Sequence, residues 1–137
     1  MYKKLLACIV ATLLLILTSC GKEKCPTEPS IDPSLKSEIQ PIFNKSCAFA
    51  NCHDASAAAG LDLSTGKSYA NLVNAASLND PAKVRVIPND AGNSYLYIKI
   101  IGDPNDGTLR MPIGGSPLSD NEIQLIKNWI TAGAKNN

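Results

Sequence analysis

Cys47-Ala48-Phe49-Ala50-Asn51-Cys52-His53 gathers two thiols and the only histidine of this 137-residue chain into one short stretch. Two sulfur donors and an adjacent imidazole tie whatever they bind to a single point of backbone, and the rest of the chain has to fold around it. In an α-helix, residues five apart lie about 140° apart around the axis. A regular helix therefore cannot offer the sulfurs of Cys47 and Cys52 to one edge of a ligand. Residues 48–51 have to bulge outward instead. Ala48 and Ala50 are small and Asn51 accepts turn or left-handed geometry, so the bulge is sterically easy. Phe49 is then left over the edge of a bound group or in solvent.

A Cys pair closed by an adjacent His is the arrangement that holds c-type haem, through two thioethers and one axial imidazole. The common form has two residues between the cysteines, whereas this chain has four. Other chemistries use parts of the same set. A Cys47–Cys52 disulfide is compatible with an exported protein and leaves His53 idle. A zinc site needs four ligands, and beside these three only Asp54 is adjacent. A thioredoxin-like pair calls for Cys-x-x-Cys in a βαβ context, and neither is found. The motif taken alone favours haem over these rivals.

Haem in electron-transfer proteins takes Met or a second His opposite the first His. No second His exists here, and of the two methionines Met1 is expected to leave with a signal peptide. That leaves Met111, in the irregular stretch Gly107-Thr-Leu-Arg-Met-Pro-Ile-Gly-Gly-Ser-Pro-Leu-Ser119. Pro112 stiffens the chain directly after the sulfur, which suits a ligand held at one distance. A methionine often fills a gap in a core; a lone one in a Gly/Pro loop is the better ligand candidate.

The N-terminus supplies the context that covalent haem attachment requires. Met1-Tyr2-Lys3-Lys4 is a basic start, and Leu5 to Leu17 is almost wholly apolar but too short to span a bilayer comfortably. Leu17-Thr18-Ser19-Cys20 resembles a bacterial lipobox, which predicts a lipoprotein signal over 1–19 and acylation of Cys20. Removing Lys3 and Lys4 takes the formal charge from +1 to −1. No basic run points to nucleic acid, and the membrane connection is the lipid rather than an amphipathic helix. Cys8 leaves with the signal, and Cys25 is left over as a free thiol or an intermolecular link; five cysteines do not make a disulfide framework. Residues 20–33, with Pro26, Pro29 and Pro33 among polar residues, read as a flexible tether. Residues 34–137 suffice for one small domain.

The domain reads as all-α: short helices joined by long Gly/Pro-rich loops. Asp32-Pro33 has the form of an N-cap with Pro at the first helical position. Leu35, Ile39, Ile42 and Phe43 follow at helical spacing, with a kink expected near Pro41. A short helix is expected around Ser68 to Val73. Ser94 to Gly102 is ambiguous, strand-like in composition yet framed by a Ser cap and a closing Gly. Ser119-Asp120-Asn121-Glu122 is a capping box, with Leu118 and Ile123 placed as a hydrophobic staple. Ile123, Ile126, Trp129 and Ile130 make one apolar stripe, which assigns Trp129 to the core, and Gly133 closes the helix.

In order along the chain stand Pro41-Ile42-Phe43, the Cys/Cys-His motif, Gly60-Leu61-Asp62-Leu63, Arg85-Val86-Ile87-Pro88, Ser94-Tyr95-Leu96, Met111-Pro112 and Leu118 to Ala134. With this set the chain resembles the small class I c-type cytochromes, especially domains of bacterial lipoproteins and of planctomycete-type cytochromes. The longer Cys–Cys gap departs from their common form. The resemblance implies a cytochrome c-like fold around one covalently attached haem c, with Cys47 and Cys52 as attachments, His53 as proximal ligand and Met111 as distal ligand. It implies a membrane-tethered electron carrier rather than an enzyme, exported to the periplasmic side or cell surface and serving redox partner proteins. Two other readings stay open: a five-coordinate haem sensor or enzyme, and a haem-free surface lipoprotein with a Cys47–Cys52 disulfide. Arg85 and Arg110 are the only arginines. One of them is expected to hold a haem propionate, since the guanidinium fork matches a carboxylate.

Overall fold

The computed structural model describes residues 29–102 and 105–137. The expected signal segment, Cys20 and Cys25 lie outside them. The described residues form four short α-helices, α1 (Gln40–Ser46), α2 (Ser68–Leu72), α3 (Tyr95–Ile101) and α4 (Asp120–Thr131). A π-helical turn, Leu35–Ile39, leads into α1, and a 3₁₀ turn, Ala58–Gly60, lies between α1 and α2. Isolated bridges such as Val73 to Val86 occur, but among the described residues there is no sheet. The fold is helix-rich, and no described helix is long and apolar enough to cross a membrane.

The first helical segment starts at Ser34 rather than at Asp32. The Ser34 hydroxyl accepts the Ser37 N–H at 3.3 Å, and the Glu38 carboxylate accepts the Ser34 N–H at 2.8 Å. Asp32 is drawn away by Lys135 at 2.7 Å. The expected kink near Pro41 takes the form of the π turn. Proline has no N–H to donate and its ring crowds the carbonyl four residues back. The wider turn just ahead relieves both demands, and the Gln40 N–H reaches back five residues to Leu35 O. Leu35, Ile39, Ile42 and Phe43 are all buried as the spacing predicts.

Helix α4 carries the capping box as read: Ser119 Oγ accepts the Glu122 N–H, and Glu122 accepts the Ser119 N–H at 2.8 Å. Gly133 follows its end at φ 99°, a left-handed turn that glycine takes without strain. Ile126, Trp129 and Ile130 join the first helical segment, Leu63, Leu72, Val86 and Ile100 in one core. Trp129 is 1 % exposed and donates its indole N–H to Lys135 O at 2.9 Å.

The stretch from Ser94 to Gly102 is a helix. Ser94 stands at its N-cap position, but its hydroxyl donates to Asp90 O at 2.7 Å and accepts the Ile87 N–H at 2.8 Å. Those bonds fix the preceding loop rather than cap the helix. The end of the expected tether is also more ordered than its composition suggests. Asn128 donates to Ser30 O at 2.7 Å, which ties residue 30 to α4, and Pro33 is fully buried. The last residue of the chain meets the start of the first helical segment as well, with the Leu35 N–H bound to Asn137 Oδ1 at 2.9 Å.

Candidate functional site

Helix α1 ends at Ser46, and Cys47 takes its C-cap position with φ −131°. The chain then leaves helical register as the sulfur spacing demands. Asn51 is left-handed at φ 65°, the Cys52 N–H bonds to Phe49 O at 2.9 Å, and the His53 N–H bonds back to Cys47 O at 3.2 Å. The bulge is thus a closed loop that brings His53 back beside Cys47. Phe49 is 51 % exposed on its outside. Cys47 and Cys52 are both free thiols here.

His53 is held from two directions. Its carbonyl accepts the Leu63 N–H at 2.7 Å, and its ring Nδ1 lies 3.2 Å from Leu61 O. A carbonyl can only accept, so Nδ1 is the donor, and in the neutral ring this leaves the lone pair for a ligand on Nε2. Gln40 completes the support: its side-chain amide donates to Leu63 O at 2.8 Å and accepts the Ser68 hydroxyl at 2.6 Å. Buried polar groups need partners of this kind, and these three link α1, the loop after the motif, and α2. The Gly60-Leu61-Asp62-Leu63 stretch thereby gains a physical meaning. Gly60 turns at φ 65°, Leu61 supplies the carbonyl, Asp62 accepts the Ser64 N–H at 2.9 Å, and Leu63 is buried.

Met111 reaches the same place from the other half of the chain. Its N–H donates to Lys99 O at 2.9 Å, and the preceding Arg110 donates from Nε to Ile100 O at 2.8 Å. The Lys99 ammonium donates to Thr108 Oγ1 at 2.6 Å and Leu109 O at 2.5 Å. Residues 108–111 are therefore fastened to the last turn of α3, whose free carbonyls are natural acceptors. Asp106 fastens the loop a second time, accepting from Lys83 at 2.8 Å and from the Tyr95 hydroxyl at 2.6 Å.

Two adjoining cavities meet at these groups. One, of about 220 Å³, is mainly apolar and has Arg85, Tyr95, Lys99 and Thr108 along its wall. The other, of about 700 Å³, opens past Phe49, Cys52, Pro112 and Gly114. Cys47, His53, Ala59, Met111 and Ile113 line both. The larger volume lies within the range of about 300–1,000 Å³ usual for small-molecule and cofactor pockets. A soft thioether, an imidazole with a free Nε2 and two thiols on one apolar cleft form a donor set that fits haem c. Among the described residues no group of three or more His, Cys, Asp and Glu side chains gathers as a metal cluster.

The two arginines separate. Arg85 is buried along the cleft, donating to Asn71 O at 2.9 Å, Ala59 O at 3.2 Å and Gly60 O at 3.1 Å. Burial pushes its pKa down from the usual value. Arg110 does not line the cavities. Lys99 does, and burial depresses its pKa as well; its place in the apolar run Tyr95–Ile101 is the only sequence sign of this role. Trp129 lines neither cavity.

Electrostatics separate the two thiols. Burial, then the Glu122 carboxylate, then Cys52 push the Cys47 thiol up to about 12. At pH 8 only about 10⁻⁴ of such a thiol is thiolate. In haem-free protein, a maleimide at pH 8 should label exposed Cys52 at least a hundredfold faster than Cys47, as mass mapping of the adducts would read. Asp106 makes a second prediction. The Lys83, Thr108 and Tyr95 hydrogen bonds hold its carboxyl well below the usual carboxylate range. A depressed folded value stabilises the fold above about pH 4 and loses that contribution as pH falls further. The protection of the Met111 N–H, its exchange rate relative to the unfolded chain at the same pH, should therefore drop below about pH 4, and Asp106→Asn should show that drop already at pH 7.

Comparison with protein-family models, with curated proteins and with solved structures returns no match for this chain.

Proposed function

We propose that this chain is a membrane-tethered monohaem c-type cytochrome carrying single electrons. Cys47 and Cys52 would form the thioether attachments, His53 and Met111 the axial ligands, and acylated Cys20 the anchor. One observation carries the reading: Cys47, His53 and Met111, from distant parts of the chain, line the same two adjoining cavities. A cytochrome c-like arrangement of the helices, export and soluble or membrane-bound redox partners belong to the same proposal. When bound, haem supplies a one-electron ferric/ferrous couple.

The protein's own residues do the rest. Leu61 O keeps the His53 proton on Nδ1 and leaves Nε2 free. The attachment of residues 108–111 to α3 holds the Met111 thioether at a set position. Leu61, Leu63, Leu72 and Ile100 make the wall of the smaller cavity mainly apolar, and an apolar site with Met as ligand favours the ferrous form. Arg85 and Lys99 offer positive charge to propionate carboxylates along that wall, so of the two arginines the propionate expectation falls to Arg85, with Lys99 beside it.

Optical spectra of the matured protein test the reading. Low-spin bands in both oxidation states, unchanged by carbon monoxide, are expected. A high-spin form that binds carbon monoxide readily would favour the five-coordinate sensor or enzyme.

A further inference from the structure

Ala57, Ala59 and Gly60 are all left-handed, at φ 50°, 55° and 65°. Alanine pays of order 1 kcal/mol for each such conformation, so this turn has to be held by its surroundings. Backbone bonds from the Ala58 N–H to Cys52 O and from the Gly60 N–H to Ala57 O hold part of it, and Arg85 adds a side-chain hold. One of its terminal nitrogens takes Ala59 O and Gly60 O together, the other takes Asn71 O, and among the described residues it has no carboxylate partner. Its own backbone is bonded on both sides, to Ala75 O at 2.8 Å and from the Leu96 N–H at 2.9 Å. The next carbonyl after the clamped pair is Leu61 O, which meets the His53 ring at 3.2 Å.

We propose that Arg85 is a positioning residue for His53. By gathering the carbonyls of the strained turn, it sets Leu61 O against Nδ1 and so fixes the tautomer and direction of the imidazole. The inference rests on His53 as iron ligand and goes beyond a charge for a propionate. A hydrogen bond accepted from Nδ1–H makes the imidazole a stronger donor and favours ferric iron. Losing the bond therefore raises the reduction potential, whereas losing a nearby positive charge lowers it.

Arg85→Lys separates the two, because it keeps the charge and loses the fork. In the matured ferrous protein the Nδ1–H proton of His53 is read by NMR. Arg85→Lys should exchange this proton at least tenfold faster than wild type and shift the potential upward, with haem and Met111 still in place. Unchanged exchange and potential would overturn the proposal and leave Arg85 as a charge alone. If the lysine variant does not fold, Arg85→Gln removes the charge but keeps a donor, and the same tenfold change or its absence decides. If wild type carries no covalent haem, the ligand reading fails separately. Ring nitrogen shifts of His53 in the haem-free chain then decide: one Nδ1–H tautomer in wild type and a mixture in Arg85→Lys support the clamp, and identical patterns refute it.

Discussion

Met111→Ala should leave the haem covalently attached while turning the ferric spectrum high-spin and opening the ferrous iron to carbon monoxide. The reduction potential should fall by on the order of 100 mV, well inside the roughly 0.8 V over which axial ligands act. The clean outcome follows from how the loop is held. Its bonds to α3 run through the Met111 N–H, Arg110 Nε and the Lys99 ammonium, and none uses the thioether. Truncation of the side chain at Cβ therefore removes the ligand without releasing the backbone. Met111→Leu is the necessary companion, since it fills nearly the same volume without a donor. A methionine that only packs would tolerate leucine in every spectrum; a ligand would not.

Trp129→Ala should cost about 3–5 kcal/mol, the usual range for deleting a fully buried large aromatic. Small domains have only about 5–15 kcal/mol in total, so a large share of the stability margin disappears and the melting temperature falls by roughly 15–30 °C. Trp129 anchors α4 from two sides, packing in the core with Phe43 and Ile39 and bonding Lys135 O. It lines neither cavity at the Cys/His motif. At temperatures where the variant is still folded, its haem spectrum should match wild type, and denaturant titration should show the whole loss. A changed spectrum with little loss of stability would mean the tryptophan belongs to the site.

The elements legible in the sequence were those with local causes. The capping box at Ser119, the stripe of α4 and the spacing of Leu35, Ile39, Ile42 and Phe43 are short-range patterns that tertiary contacts reinforce. The bulge at residues 48–51 followed from helix geometry alone, and Asn51 takes the left-handed turn it was suited for. Position was harder where two local signals competed. Asp32 could have capped the first helical segment, but its carboxylate is taken by Lys135, a partner 103 residues along the chain. Ser94 looked like a cap and instead braces the loop before it.

Within the candidate site, the residues named for their chemistry come together in the cleft: Cys47, Cys52, His53 and Met111. The residues that support them were silent. Gln40 and Lys99 work through backbone carbonyls of residues far away in sequence, and no spacing rule announces such a bond. Leu61 contributes a carbonyl rather than a side chain. Arg85 was visible only as one of two arginines; the fold buries it along the cleft and ties Arg110 to Ile100 O instead.

The central claim is settled by a pyridine haemochrome assay on denatured full-length protein expressed with a cytochrome c maturation system. One haem per chain that stays with the polypeptide through acidic organic extraction, and that is lost in a Cys47→Ala, Cys52→Ala double variant, is the predicted result. Wild-type chain that matures and folds without covalent haem would contradict it.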